Sequence, residues 1–277
     1  MHWLCNGRKL DLKTPKIMGI VNVTPDSFSD GGKYFSIDAA VRHGMELAAQ
    51  GADILDIGGE STRPGSLAVS AGDEIARVVP VVRALKGCGA LISVDTKKAE
   101  VMSAAIAAGA DIINDVSALE APGALKALAQ SAAGVCLMHM RGTPESMQKD
   151  TAYSDITEEV LAYLMARARV CEEAGIARDR ICIDYGFGFG KSVEGNFTLL
   201  RDTERFVKTG YPVLVGFSRK SSLGAVTGRD TAHREAATVA AHLMAVERGA
   251  RIVRVHNVAG ARDSIKVWEA VNGYTFG

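Results

Sequence analysis

Side chains able to do chemistry stand where the apolar runs of this sequence stop. They are Asn22, Asp56, Asp95, Asn114, Asp115, His139, Asp184, Ser218, Lys220, Arg254 and His256, with Thr62 and Arg63 just behind the second run. Asp95, Asn114 and Asp184 can bind the edge of a flat heterocycle, because a carboxylate accepts from two adjacent N–H groups and an amide pairs with a mixed edge. Arg63, Ser218, Arg219, Lys220, Arg254 and His256 suit an anion, phosphate above all. Asn22, with Asp26 and Asp30, offers oxygen ligands to a hard divalent ion such as magnesium. Each residue also has a plainer role. An acidic residue after a strand often caps the next helix, and for Asp56 and Asp115 that reading stands level with a ligand role. His139 reads as structural, and Lys220 taken alone as a solvated side chain. Their gathering at one place would shift the balance toward function.

The elements that must position them follow one repeated pattern. Ile17–Val21 reads as a buried strand that ends at Asn22 and runs into a Pro- and Gly-rich loop, and Ile37–Ala48 is amphipathic at helical spacing. Further strands are expected at 53–57, 91–94, 111–113, 135–138, 180–183, 213–217 and 252–255. Helices are expected at 71–85, 98–108, 122–132 and 156–174, the third opened by Pro122. Trp3–Leu12, turning at Asn6 and Gly7, reads as a hairpin covering one end of the core. Eight parallel strands alternating with helices imply a (β/α)8 TIM barrel closed by right-handed crossovers, with an open doubly wound sheet as the rival. The barrel is preferred because every polar, Gly-rich loop follows a strand, and only a barrel brings all such loops to one face.

The chain has 277 residues, 47% of them hydrophobic, and 32 basic side chains balance 32 acidic ones. This implies one soluble domain over 1–277, its hairpin being residues 1–14, and gives no electrostatic footprint for nucleic acid or a membrane surface. No signal peptide or membrane-spanning run is read. The cysteines, Cys5, Cys88, Cys136, Cys171 and Cys182, form no C-x-x-C pair and read as reduced thiols of a cytoplasmic protein.

Three motif matches fail. Tyr185–Ser192 ends in Gly-Lys-Ser but has Tyr185 where a Walker A loop needs glycine, and Gly186, Gly188 and Gly190 alternate too closely for a dinucleotide fingerprint. Asp26–Gly31 lacks the spacing and closing Glu of a calcium loop.

With these residues placed, the chain resembles the dihydropteroate synthases, of the pterin-binding family, over nearly its whole length. The resemblance rests on MGIVNVTPDSFSDGG from Met18, DIGGESTRPG from Asp56, SVDT from Ser93, INDV from Ile113, CLMHM from Cys136, GFGFGK from Gly186, SRKS from Ser218 and RVH from Arg254. It implies the same barrel and the condensation of 6-hydroxymethyl-7,8-dihydropterin diphosphate with p-aminobenzoate, with magnesium as cofactor and a homodimer as the usual assembly. By this similarity Asp95, Asn114, Met138, Asp184 and Lys220 bind the pterin, Arg254 lies against its ring, and Arg63 and His256 hold the diphosphate. Asn22 binds the metal. Thr62, Pro64, Phe28, Phe189 and Ser218 shape the p-aminobenzoate site, where sulfonamides bind in the family, and the catalytic step rests on Arg63, Asp95, Lys220 and Asp30.

Two positions depart from the family pattern. Tyr185 replaces the usual Pro after the sixth-strand Asp, which implies a less fixed backbone beside Asp184. Asn257 replaces the usual Asp after RVH and removes a charge near the anion site. Two other readings compete: an aldolase-type barrel with Lys220 as Schiff-base lysine, and a pterin carrier without synthase activity, in which the phosphate-facing set would have no purpose.

Overall fold

Apolar runs of this kind need cover on both faces, which a parallel sheet wrapped by helices supplies. The computed structural model describes residues 1–23, 33–61, 68–143, 147 and 150–274, without the side chains of 33–36. The expectations placed on Asp26, Phe28, Asp30, Thr62, Arg63 and Pro64 lie outside the described residues.

A hairpin of β1 (His2–Cys5) and β2 (Arg8–Asp11) precedes the repeating units. These are β3 (Lys16–Asn22) with α1 (Lys33–Ala49), β4 (Ile54–Gly58) with α2 (Ala71–Leu85), β5 (Leu91–Asp95) with α3 (Ala99–Ala108), and β6 (Ile112–Asp115) with α4 (Ala124–Ala129). β7 (Gly134–Met138) with α5 (Ile156–Glu173) follows, then β8 (Ile181–Asp184) with α6 (Val193–Arg201) and α7 (Thr203–Val207). The last units are β9 (Val213–Val215) with α8 (Ser221–Thr227) and α9 (Glu235–Glu247), and β10 (Ile252–Val255) with α10 (Val258–Val271). The barrel closes in the order β10-β3-β4-β5-β6-β7-β8-β9 with every pairing parallel. The open-sheet alternative is thereby excluded.

Strand alternation sorts the side chains into two cores. Met18, Ile54, Leu91, Ile112, Cys136, Cys182, Leu214 and Ile252, one from each barrel strand, fill the amino-terminal end of the interior with Trp3, Cys5 and Leu12 of the hairpin region. Ile17, Leu55, Ile92, Ile113, Val135, Ile181, Val213 and Val253 face outward to the helices. The hairpin turns at Asn6 and Gly7, both at positive φ (51° and 79°), as a two-residue turn matching strand twist requires. It is pinned by the Trp3 indole, which donates to the Arg180 carbonyl at 2.9 Å. Gly134 opens β7 because a Cβ there would stand 3.0 Å from Cys5 Sγ and 3.1 Å from the Leu4 carbonyl oxygen.

Element ends differ from expectation for identifiable reasons. β5, β6 and β8 run on through Asp95, Asn114, Asp115 and Asp184, whose backbones stay in the ladder. β9 stops at Val215, not Phe217, because the Phe217 N–H donates to His242 Nε2 on α9. Pro122 does not open α4: Gly123, at φ 83°, breaks the backbone ahead of it and the helix begins at Ala124. No described helix is long and apolar enough to cross a membrane.

Candidate active site at the carboxyl face of the barrel

Two residues above the apolar floor, the same alternation places Ile20, Asp56, Ser93, Asn114, Met138, Asp184 and Arg254 on the inner face. A polar layer inside a barrel is tolerable only if its members satisfy one another. Asp56, with no solvent exposure, is the centre of that arrangement. Its Oδ1 accepts from Ser93 Oγ at 2.6 Å, and its Oδ2 from Asn114 Nδ2 at 3.0 Å and Arg254 Nε at 2.6 Å. The other arm of the Arg254 guanidinium reaches Asp95 Oδ2 at 2.8 Å.

Electrostatics follow from this enclosure. Burial pushes the Asp95 carboxyl well above its usual range, against the pull of Arg254. The Asp184 carboxyl is also raised by burial, although its Oδ1 accepts from the Gly186 N–H at 2.7 Å. Burial, and then the neighbouring Arg254, lowers the Lys220 ammonium to about 8. Burial works against the Arg254 charge as well, but Asp56 and Asp95 override it and hold the guanidinium protonated. The result is three carboxyl groups, those of Asp95 and Asp184 raised by burial, gathered around the basic groups of Arg254 and Lys220.

The rim joins a second set to the first. Lys220, at the start of α8, lies over the Phe189 ring, while Phe189 packs in an apolar cluster with Met138, Val116 and Met147. Ser218 Oγ and His256 Nδ1 stand 2.9 Å apart, so these two are brought together as a pair. Asn22 ends β3 in register with Gly58, which is in register with Asp95. Arg219 is exposed, with its carbonyl accepting from Arg234, and stands apart from the inner cations.

Three residues proved to be structural supports. Asp115 faces outward and accepts from the backbone N–H groups of Ser117 and Leu119, capping a turn in which Ala118 and Leu119 take positive φ. His139 is buried, and burial drives its imidazole down to about 3. Its Nδ1 lies 2.9 Å from Lys191 Nζ. Lys191, the lysine of the failed Walker match, is buried and donates to the carbonyls of His139, Gly186 and Phe189, clamping the loop that carries Phe189. Asn196 ties the same loop down by accepting from Gly188 N–H at 2.7 Å while donating to Ser222 Oγ.

The departures from the family pattern are absorbed locally. The Tyr185 ring packs outside the barrel on Phe206 and Phe217, and its hydroxyl meets Thr203 Oγ1 at 3.1 Å. Asn257 caps α10 through Gly260 N–H and donates to Glu235.

Sequence reasoning underrated Asp56 and missed Lys191. The period of two was available for the first: Asp56 shares the inward face of Ile54, whereas Asp115 shares the outward face of Ile113.

The profile of the family described as pterin binding enzyme matches residues 18–256. The dihydropteroate synthase of Neisseria meningitidis serogroup C is 52% identical over 274 residues, spanning 97% of both chains. A structure of Xanthomonas albilineans dihydropteroate synthase with 4-aminobenzoic acid superposes with a TM-score of 0.92 at 51% identity, covering 98% of each chain. The same enzyme in complex with 7,8-dihydropteroate gives a TM-score of 0.90 at 49% identity, over 98% of this chain and 99% of that one. The chain belongs to the pterin-binding enzyme family, among the dihydropteroate synthases.

Proposed function

We propose that this protein joins p-aminobenzoate to 6-hydroxymethyl-7,8-dihydropterin diphosphate, forming 7,8-dihydropteroate and releasing pyrophosphate. The observation that carries the reading is the inner polar layer, in which Asp95, Asn114, Asp184, Arg254 and Lys220 converge above an apolar floor. Solved relatives that hold 4-aminobenzoic acid and 7,8-dihydropteroate support it.

In this reading Asp95, Asn114, Asp184 and Lys220 hold the pterin rim, Met138 lines its pocket and Arg254 lies against the ring. Phe189, Ser218, Phe28, Thr62 and Pro64 shape the p-aminobenzoate side, and Arg63 and His256 receive the diphosphate. The bond from the pterin methylene carbon to the diphosphate oxygen breaks, and its electron pair leaves with pyrophosphate. The aniline nitrogen then donates its lone pair to the carbon and loses a proton to solvent. In this reading the Asp95 and Asp184 carboxyl groups flank the pterin and favour the positive charge that builds on its ring. Arg63, Asp95, Lys220 and Asp30 are assigned to this step, and no covalent enzyme intermediate is required.

Asn22 is the described residue assigned to magnesium. Among the described residues no three His, Cys, Asp or Glu side chains cluster to cage a metal. An amide oxygen at the rim suits an ion held by few protein groups and by the ligand's phosphates. Bound there, magnesium would neutralise charge on the departing pyrophosphate. A homodimer through helices of the outer wall is the assembly in this reading, as the resemblance implies. The free thiols suit the cytoplasm.

The test is to incubate the protein with magnesium and both substrates and to look for dihydropteroate by mass spectrometry. Its absence from a folded sample that binds both substrates would refute the reading.

A further inference from the structure

The Asp56 carboxylate touches three strands and no solvent. It accepts from Ser93 on β5, Asn114 on β6 and Arg254 on β10, so it has no surface with which to meet a ligand. Its influence must pass through those partners. The consequence for Asn114 is specific. An amide has one accepting end and one donating end, and a carboxylate can only be faced by the donating end. With Nδ2 committed to Asp56 Oδ2 at 3.0 Å, the Asn114 Oδ1 is turned away from Asp56 and makes no hydrogen bond with any described side chain. A flipped amide would set Oδ1 against the carboxylate, placing two acceptors in contact within a buried chamber, which is costly.

We infer that Asp56 is a specificity-determining positioning residue: by holding one N–H of the Asn114 amide it fixes which way that amide faces, and so where its oxygen and its second N–H meet the bound heterocycle. Asn114 then presents one acceptor and one donor in a fixed order. Asp95 and Asp184 offer accepting oxygens on the same inner face, and Lys220 offers donors. The chamber thereby suits a heterocycle whose edge mixes donors and acceptors in one order. The inference rests on the pterin reading above and goes beyond it by assigning a role to a residue that the ligand never touches.

The test is a double-mutant cycle on pterin binding, measured by titration calorimetry on the full chain. Asp56→Asn keeps the shape but offers an amide that no longer dictates which end of Asn114 faces it. In the wild-type background this variant should weaken pterin binding about tenfold, the scale of a misoriented buried hydrogen bond. In an Asn114→Ala background it should cost about threefold or less, because the orientation that Asp56 controls has been removed. Equal losses in both backgrounds would overturn the inference, since a merely structural Asp56 would act independently of Asn114.

A measurement on the wild-type protein covers the case in which Asp56→Asn does not fold. In a nitrogen-15 spectrum, the Asn114 side-chain proton that is donated to Asp56 should stay slow to exchange with solvent, with and without pterin. A signal that exchanges rapidly before pterin binds and is protected only afterwards would refute the assignment. Failure of wild-type protein to bind pterin would count against the functional reading. Binding with an additive cycle would count against the role of Asp56 alone.

Discussion

The Lys220 ammonium lies 3.9 Å from the centre of the Phe189 ring. This contact joins the start of α8 to the loop that Lys191 clamps, and so couples the cation of the inner chamber to the apolar cluster at its rim. Gly188 makes it possible, because a Cβ there would stand 3.2 Å from Lys220 Cδ. Phe189→Leu keeps apolar bulk but removes the ring face. Steady-state kinetics should show kcat/KM reduced about two- to tenfold, the range of a partly desolvated cation–π contact. An unchanged value would mean that the contact has no part in the reaction.

Lys220 also sets an alkaline limit. Its ammonium, lowered to about 8 by burial and by Arg254, is charged below that pH and neutral above it. Pterin affinity should therefore fall as pH rises through 8. In Lys220→Arg the guanidinium stays protonated, and the protein's contribution to that fall should vanish up to about pH 10. Titrations at several pH values check this, since ionisation of the ligand is common to both proteins. Identical pH profiles would contradict the assignment.

His242 gives a stability prediction away from the chamber. Burial lowers its imidazole to about 4, and its Nε2 accepts from the Phe217 N–H. The unfolded chain takes up the proton near 6.5 while the folded protein resists it to about 4. Between those values the unfolded state binds more protons, so stability falls as pH falls. The loss attributable to His242 should be roughly 2 to 3 kcal/mol between pH 7 and pH 4. His242→Gln retains an acceptor for Phe217 but cannot take up a proton, and urea denaturation should show a correspondingly shallower acid loss. Parallel pH curves for the two proteins would refute it.

Asn22 is assigned to magnesium with few protein partners. Asn22→Ala should raise the magnesium concentration for half-maximal rate by about tenfold, at fixed dihydropterin diphosphate. Binding of the pterin without its diphosphate should not change. A loss of pterin binding as large as the loss in metal response would move Asn22 into the pterin site instead.

The barrel was legible because eight apolar runs each ended in a polar residue, and the polar, Gly-rich loops all followed such runs. A packed interior demands such runs, and loops on one face follow from parallel strands. The strand ends were less legible. Asp95, Asn114 and Asp184 look like loop residues by composition but remain in the ladder, where hydrogen bonds from Arg254 to Asp95, from Asn114 to Asp56 and from the Gly186 N–H to Asp184 make burial acceptable. The same blindness affected Asp56. Its value depends on Ser93, Asn114 and Arg254, residues 37, 58 and 198 positions away, and no local pattern carries that information. Lys191 was hidden for a related reason: its partners are backbone carbonyls, which every sequence supplies.

The most direct measurement is release of pyrophosphate from dihydropterin diphosphate with magnesium, followed together with dihydropteroate formation in the presence and absence of p-aminobenzoate. The proposed reaction requires one pyrophosphate for each dihydropteroate, and no dihydropteroate when p-aminobenzoate is omitted. A folded protein that binds the pterin yet releases no pyrophosphate with all components present would contradict it and leave a pterin carrier in its place.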